Sequence, residues 1–363
     1  MRLFNSSQTW LDDQDHSADP PILPVLSVRE AECIYDCCWY PMMQSTDPST
    51  CCFLSSSKDH PVRLWDAYTG ELRATYCLYD HLDQITAPVS VAFSPDGTKI
   101  YCGLDSLIEI FDIHCPGRDS VKRPTTKPRR SREGQKGILS CISFCPDMSN
   151  LYAAGSFSGS IGFYDGNDND RPLLLLKDSS HGITQVSFSP DGNYLYSASR
   201  SSTSILCWDI RNTEKVLYRI SRNAQTSQRI GFSIDPGSSH LSTGDKEGRI
   251  LTYKLGEAEP ILVGSDKVHS DTVSAAAHHP YLPLLASSTG HRHYRIQSEV
   301  DPEHVPPPAA NYVDIWRTPG TMPSYPTEHG QWDDSHNGAN QYESDPSHTA
   351  ADIDMDSVVC DAS

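Results

Sequence analysis

One phrase recurs along this chain at a spacing that few folds accommodate. VAFSPDGTKIYCG leads to IEIFD, ISFCPDMSNLYAAGS to IGFYD, VSFSPDGNYLYSAS to ILCWD, and IGFSIDPGSSHLSTG to ILTYK. Each copy is a strand ending in Phe, a tight polar turn, a strand of small residues, and an apolar strand ending in an aromatic. The first landmarks are Phe93, Phe144, Phe188 and Phe232, so successive copies lie 51, 44 and 44 residues apart. That is the period of a four-stranded propeller blade. A weaker copy runs from Trp39 to Trp65, and another from AAHHPYLPLLASST to Trp316, which makes six units.

The residues alternate apolar and polar with period two, as in half-buried strands. One such unit cannot bury both of its faces. Units stacked around an axis bury them against each other and leave only short edges. SPDG at 94–97 and 189–192 reads as a tight turn, with Pro fixing φ and Gly accepting a positive one. The Trp-Asp dipeptides Trp65-Asp66 and Trp208-Asp209 close two units. Ser57, Asp59 and Trp65 have the spacing for a Trp–Ser–Asp hydrogen-bond network, and Trp208, Asp209 and Trp316 occupy the matching structural positions elsewhere. The expected fold is an all-β WD-repeat β-propeller of six four-stranded blades, with an incomplete seventh left open. Residues 1–27 form an N-terminal segment in which MRLFN reads as a remnant strand of a first blade. Residues 28–318 form the propeller, with a basic stretch at 116–137 and an insertion at 291–311. Residues 319–363 form an acidic tail, expected to be disordered.

Net charge is −18, and it is uneven. No Lys or Arg follows Arg317, while nine Asp and Glu do, so the tail supplies half of it. An acidic chain argues against non-specific coating of nucleic acid, but not against a local basic site. No apolar run is long enough for a membrane helix, and the N-terminus shows no signal-peptide pattern. The 12 cysteines then read as reduced intracellular thiols. Cys33/Cys37 and Cys141/Cys145 have zinc-like spacing, but strands would splay them, so small buried hydrophobes are expected and no metal. His278, His279, His291 and His293 read as a polar loop. The chain shows no phosphate-cradling glycine loop and no nucleophile elbow. Catalytic residues, a cofactor, a small-molecule substrate and a membrane partner are therefore not expected.

Several segments resemble more than a generic propeller. IYDCCWYPMM (34–43), SSSKDHPVRLWDAYTGELRATY (55–76), FDIHCPGRD (111–119), TSQRIGFSIDP (226–236) and HHPYLPLLASSTGHR (278–292) are similar to the telomerase Cajal-body WD-repeat family. The resemblance covers about four-fifths of the chain. It implies a non-enzymatic nuclear scaffold whose partners are small nuclear or Cajal-body RNA, telomerase RNA included, and ribonucleoprotein proteins. That family carries a longer N-terminal region and a complete first blade, whereas this chain begins near the end of one.

The basic stretch is the strongest local signal. Arg118, Lys122, Arg123, Lys127, Arg129, Arg130, Arg132 and Lys136 stand against Asp119 and Glu133, a balance of +6. Cations there would gain affinity for RNA phosphates by counterion release. The same stretch suits a nuclear import signal or a solvated loop. Lys58, His60, Arg200 and Arg229 lie near turns and strand ends, where binding residues collect on a propeller face. Trp208-Asp209-Ile210-Arg211 matches a signature of ubiquitin-ligase substrate receptors. The alternative to an RNA scaffold is thus a protein-interaction adaptor, either a pre-mRNA splicing factor or such a receptor.

Overall fold

The computed structural model describes residues 1–5, 22–126, 134–167, 172–177, 181–256, 259–290 and 311–318, and the backbone of 358–361. Six antiparallel sheets follow one another in chain order. Blade 1 pairs Ile34–Trp39, Cys52–Ser57, Val62–Asp66 and Leu72–Tyr76; blade 2 pairs Ser90–Phe93, Lys99–Gly103, Leu107–Asp112 and Val121–Pro124. Blade 3 holds Leu139–Phe144, Leu151–Ser156, Ile161–Asp165 and Leu174–Leu176; blade 4 holds Ile183–Phe188, Tyr194–Ser199, Ser204–Asp209 and Tyr218–Ser221. Blade 5 holds Phe232–Ile234, His240–Gly244, Arg249–Lys254 and Ile261–Lys267; blade 6 has three strands among the described residues, Val273–His278, Leu284–Thr289 and Val313–Arg317. No helix among the described residues is long and apolar enough to cross a membrane.

The core is a succession of layers, each shared by two neighbouring sheets. Leu54, Leu64 and Tyr76 of blade 1 pack on Val91, Phe93 and Ile100 of blade 2. Ile161 and Phe163 of blade 3 pack on Val186 and Phe188 of blade 4, and Tyr196 and Ile205 of blade 4 on Phe232 and Leu241 of blade 5. This is the mutual burial that the repeat demanded. Small residues let the sheets approach. Gly103 and Gly244 end the second strand of their blades and Gly155 stands one residue from its end, and a Cβ there would run into Leu139, Val273 and Ile183, each at the start of the next blade's first strand. The SPDG segments are tight turns: Gly97 N–H donates to Ser94 O and Gly192 N–H to Ser189 O, both at 2.8 Å, with φ of 70° and 73°.

The N-terminal strand Arg2–Asn5 does not extend blade 6. It pairs with Leu26–Ser27 and with Val358–Asp361, and Met1, Leu3 and Val28 bury against Phe53 of blade 1. It lies where a further blade ahead of blade 1 would lie. Four residues of the expected disordered tail are thus a strand, in its one stretch of adjacent β-branched residues, Val358 and Val359. The rest of the tail, the 291–310 segment, His291 and His293 fall outside the described residues.

The Trp network differs from expectation in its serine. Trp65 Nε1 donates to Ser55 Oγ at 2.8 Å, and Ser57 bonds Glu30 instead, at 3.2 Å. Strand alternation explains this: Ser55 stands two residues before Ser57 on the same face, level with the indole. Asp59 is excluded from the network; it sits exposed in the turn with φ 56°. Trp208 donates to Ser197 at 3.1 Å and Trp316 to Ser287 at 2.7 Å. Asp209 instead accepts from Arg211 N at 2.9 Å. In blade 6 the Ser287 hydroxyl also meets His269 Nε2 at 2.8 Å, and His269 Nδ1 lies 3.4 Å from Asp314. Ser287→Ala would leave both Trp316 and His269 short of a partner. It should cost about 1–3 kcal/mol in urea unfolding, against a negligible change for the exposed Ser227→Ala.

Candidate nucleic-acid interface

Each sheet is a meander running outward from the axis, so its connections separate by end. Turns between second and third strands, and links from an outer strand to the next inner strand, lie on one face, the upper. Turns between first and second strands lie on the lower face. The lower turns repeat one device. Asp47, Asp96, Asp147, Asp191 and Asp235 each accept a backbone N–H from two to four residues on, at 2.7 to 3.3 Å. In the sixth turn His279 Nδ1 takes that part, accepting from Tyr281 and Leu282 at 3.0 and 2.8 Å. Hydroxyl and amide donors of Ser49 and Ser149 hold Asp47 and Asp147 below their usual pKa. Against the opposing pull of partial burial, Ser94 and Ser189 help do the same for Asp96 and Asp191. The lower face is thus ringed with fixed negative charge.

These groups set a pH response. Burial lowers the pKa of His269, against Asp314, and of His278. The unfolded chain therefore binds protons first as pH falls below about 6.5, and stability declines. The depressed aspartates add a second loss as pH falls below about 4 toward their folded values. The urea midpoint should fall between pH 7.5 and 5.5, and again below about pH 4. A midpoint flat from pH 7.5 to 5 would contradict the lowered pKa of buried His269 and half-buried His278.

The upper face differs. Lys58 and His60 lie in the blade 1 turn, Arg200 in the blade 4 turn and Lys246 in the blade 5 turn; Lys136 and Arg229 lie in inter-blade links. Lys58, Lys136, Arg200, Arg229 and Lys246 are exposed. Near the axis, four inner strands start with a bulge, between Ile34/Asp36, Leu139/Cys141, Ile183/Gln185 and Val273/Ala275. In blades 3, 4 and 6 the extra residue is Ser140, Thr184 or Ser274, whose hydroxyl bonds its own sheet. Blade 1 places Tyr35 there instead, 39% exposed. The adjacent Asp36 carboxylate accepts from Val91 N and Cys37 N, both at 3.0 Å. Burial raises its pKa, and Arg229, on the link between blades 4 and 5, opposes that from across the ring. Sequence reasoning named Lys58, His60, Arg200 and Arg229 as face residues, and it did not name Tyr35 and Phe157. Phe157 lies in the blade 3 turn with the Arg200 guanidinium 4.2 Å from its ring centre. An aromatic between small residues in a turn, SFSG, was the available signal.

The basic stretch is not one loop. Strand Val121–Pro124 divides it. Arg118 precedes the strand, ion-paired with Asp83 and stacked 4.0 Å from the Tyr79 ring centre. Lys122 donates to Tyr79 O at 3.1 Å and lies 3.7 Å from Glu109. Both brace the small hairpin of Leu78–Tyr79 and Ile85–Thr86. Arg123 is 1% exposed, bonded to Tyr152 Oη at 2.5 Å and to Asp165 O at 3.0 Å between blades 2 and 3. It cannot meet RNA at the surface; alternation turns it inward between exposed Lys122 and Pro124. Lys127, Arg129, Arg130 and Arg132 lie outside the described residues. The ends of that segment are joined on the upper face, where Gln135 N donates to Thr125 O at 2.8 Å, next to exposed Lys136.

The described cysteines are free thiols, and no metal-holding group of His, Cys, Asp and Glu occurs among the described residues. Burial pushes the Cys38 and Cys145 thiols up to about 11, which keeps them protonated. On the rim, a groove of about 1050 Å³ is lined by Leu174, Leu217 and Pro260 with Lys177 and Lys215.

Residues 72–112 and 171–209 match the WD domain, G-beta repeat model. Over 296 residues, 80% of this chain and 54% of the relative, the sequence is 38% identical to telomerase Cajal body protein 1 of Bos taurus. The chain is a WD-repeat propeller, and telomerase Cajal body protein 1 is its homologue over four-fifths of this chain. Telomerase Cajal body protein 1 of Homo sapiens is 38% identical over 80% of this chain and 53% of its own length. The Drosophila melanogaster homologue is 35% identical over 75% and 49%. The chain spans about half the length of the curated relatives it matches. Two phrases that carry this family likeness meet in the fold. DAYTGELRATY and CPGRD are stitched together where Gly117 N donates to Thr75 O at 2.9 Å and Cys77 N to Gly117 O at 2.7 Å. These phrases secure the seam between blades 1 and 2.

Proposed function

We propose that this chain is an RNA-binding scaffold of small Cajal-body or telomerase-type ribonucleoproteins. It takes a single-stranded RNA loop on its upper face, contacts protein partners along its rim, and acts in assembly or localisation without a chemical step. The observation that carries this is a set of exposed cations and aromatics on one face. Lys58, Lys136, Arg200, Arg229 and Lys246 stand on the upper face with Tyr35 and Phe157, interspersed with the acidic Asp59, Asp105 and Glu247. Cations offer phosphates local contacts, and unstacked bases need aromatic or Arg planes. Thr125 and Gln135, whose backbones meet on that same face, flank in sequence the cationic Lys127, Arg129, Arg130 and Arg132. The relatives' names support a nuclear location in Cajal bodies.

Crosslinking and pull-down from nuclear extract test this. One class of small nuclear RNA should be recovered, and lost when 127–132 is replaced by Ser and Gly. RNase-insensitive recovery of proteins, with no enriched RNA, would favour the adaptor reading, for which the rim groove offers a peptide site. The receptor signature contributes little to that alternative, because Arg211 folds back on Asp209 at 2.9 Å.

A further inference from the structure

Four arginines lie over aromatic rings among the described residues. Arg63, over Trp65, is ion-paired with Glu30, and Arg118, over Tyr79, with Asp83. Arg123, over Tyr152, is buried. Arg200, over Phe157, alone is both exposed and without a carboxylate partner among those residues. It is also the stack that bridges the upper turns of two blades.

The pair is held from several sides. Phe157 N donates to Ile138 O at 2.9 Å, and Arg200 N to Gly182 O at 2.8 Å. Gly182 packs so close that a Cβ would stand 2.7 Å from Phe157 O. The next residue, Ser201, has φ 51° and donates its N–H to Thr226 O at 3.0 Å. Two turns and three inter-blade links therefore hold the backbones that carry the Arg200 guanidinium and the Phe157 ring, 4.2 Å apart. A guanidinium has two faces, and Phe157 covers one.

We propose that Arg200, backed by Phe157, is a base-stacking platform that receives one splayed-out base of a single-stranded RNA on its outward face. This rests on the RNA-binding reading and assigns the reading a base-contact residue. An Arg plane stacks any base and brings its charge near the adjoining phosphate.

The test uses the full chain and a 12-nucleotide oligouridylate carrying 2-aminopurine at successive positions. Wild type should quench the fluorophore at one or two positions. Arg200→Lys keeps the charge and loses the plane. It should abolish the quenching and weaken binding by roughly 10-fold, with little change in salt dependence. Phe157→Leu should reduce quenching while its melting temperature reports any folding loss. Quenching and affinity unchanged in Arg200→Lys, with wild type binding RNA normally, would overturn the platform and leave RNA binding standing. No binding by wild type at low salt would overturn both.

Discussion

Gly244→Val should cripple the propeller, although no binding or polar side chain is altered. The glycine ends the second strand of blade 5, and a Cβ there would stand 2.2 Å from Val273 O and 2.7 Å from Val273 Cβ. Val273 is fully buried at the start of blade 6, so neither backbone can yield without separating two blades. Overpacking of this kind costs typically 1–3 kcal/mol and sometimes more. With backbone as the obstacle, about 3 kcal/mol or more is expected. For a domain of this size that lowers the melting temperature by roughly 5–10 °C. Gly155 and Gly103 hold the same position in blades 3 and 2, but there the nearest atoms belong to the side chains of Cys141 and Ile183, and of Ser90, so smaller losses are expected. Gly237→Ala is the control. Its nearest neighbour would be the Asp235 carboxylate at 3.4 Å, in a turn on the lower face, and it should shift stability by less than about 0.5 kcal/mol.

The second large effect concerns binding. Replacing Lys58, Lys136, Arg200 and Arg229 together by Ser should weaken RNA affinity about 100-fold or more near 0.1 M salt. Each phosphate contact on a single strand contributes roughly 0.7 to the slope of log K against log salt, so the slope should flatten by about 2–3. The matched control replaces Arg211 and Lys215. They are also exposed but lie in the outer connection of blade 4, between its third and fourth strands. Fluorescence anisotropy across a salt series reads both quantities. An equal loss per cation removed in the two variants would mean that RNA is held by diffuse charge and not by the upper face.

The fold was legible because the repeat states it several times. Phe93, Phe144, Phe188 and Phe232 mark equivalent places in four blades, and each is buried or nearly so between sheets. Local turn chemistry was equally plain at Gly97 and Gly192. What sequence alone could not assign were choices made by tertiary contacts. Ser55 and Ser57 alternate onto the same face of one strand, and only the indole's height selects the first. The run from Arg118 to Lys136 looks continuous in charge, yet a four-residue strand places Arg123 in the interior. Linear charge counting cannot see that alternation. Nor could it see that Arg118 finds Asp83 and Tyr79, which lie more than thirty positions earlier. Nor did it single out Phe157, whose contact with Arg200 forms only between two blades.

Photocrosslinking bears most directly on the upper face as the seat of RNA. The full chain would be irradiated with an RNA bearing 4-thiouridine, digested, and the modified residues mapped by mass spectrometry. Adducts should fall on peptides containing Tyr35, Phe157 and the 200–203 turn. Adducts confined to the aspartate turns at 94–98, 145–150, 189–193 and 235–239 would contradict the account.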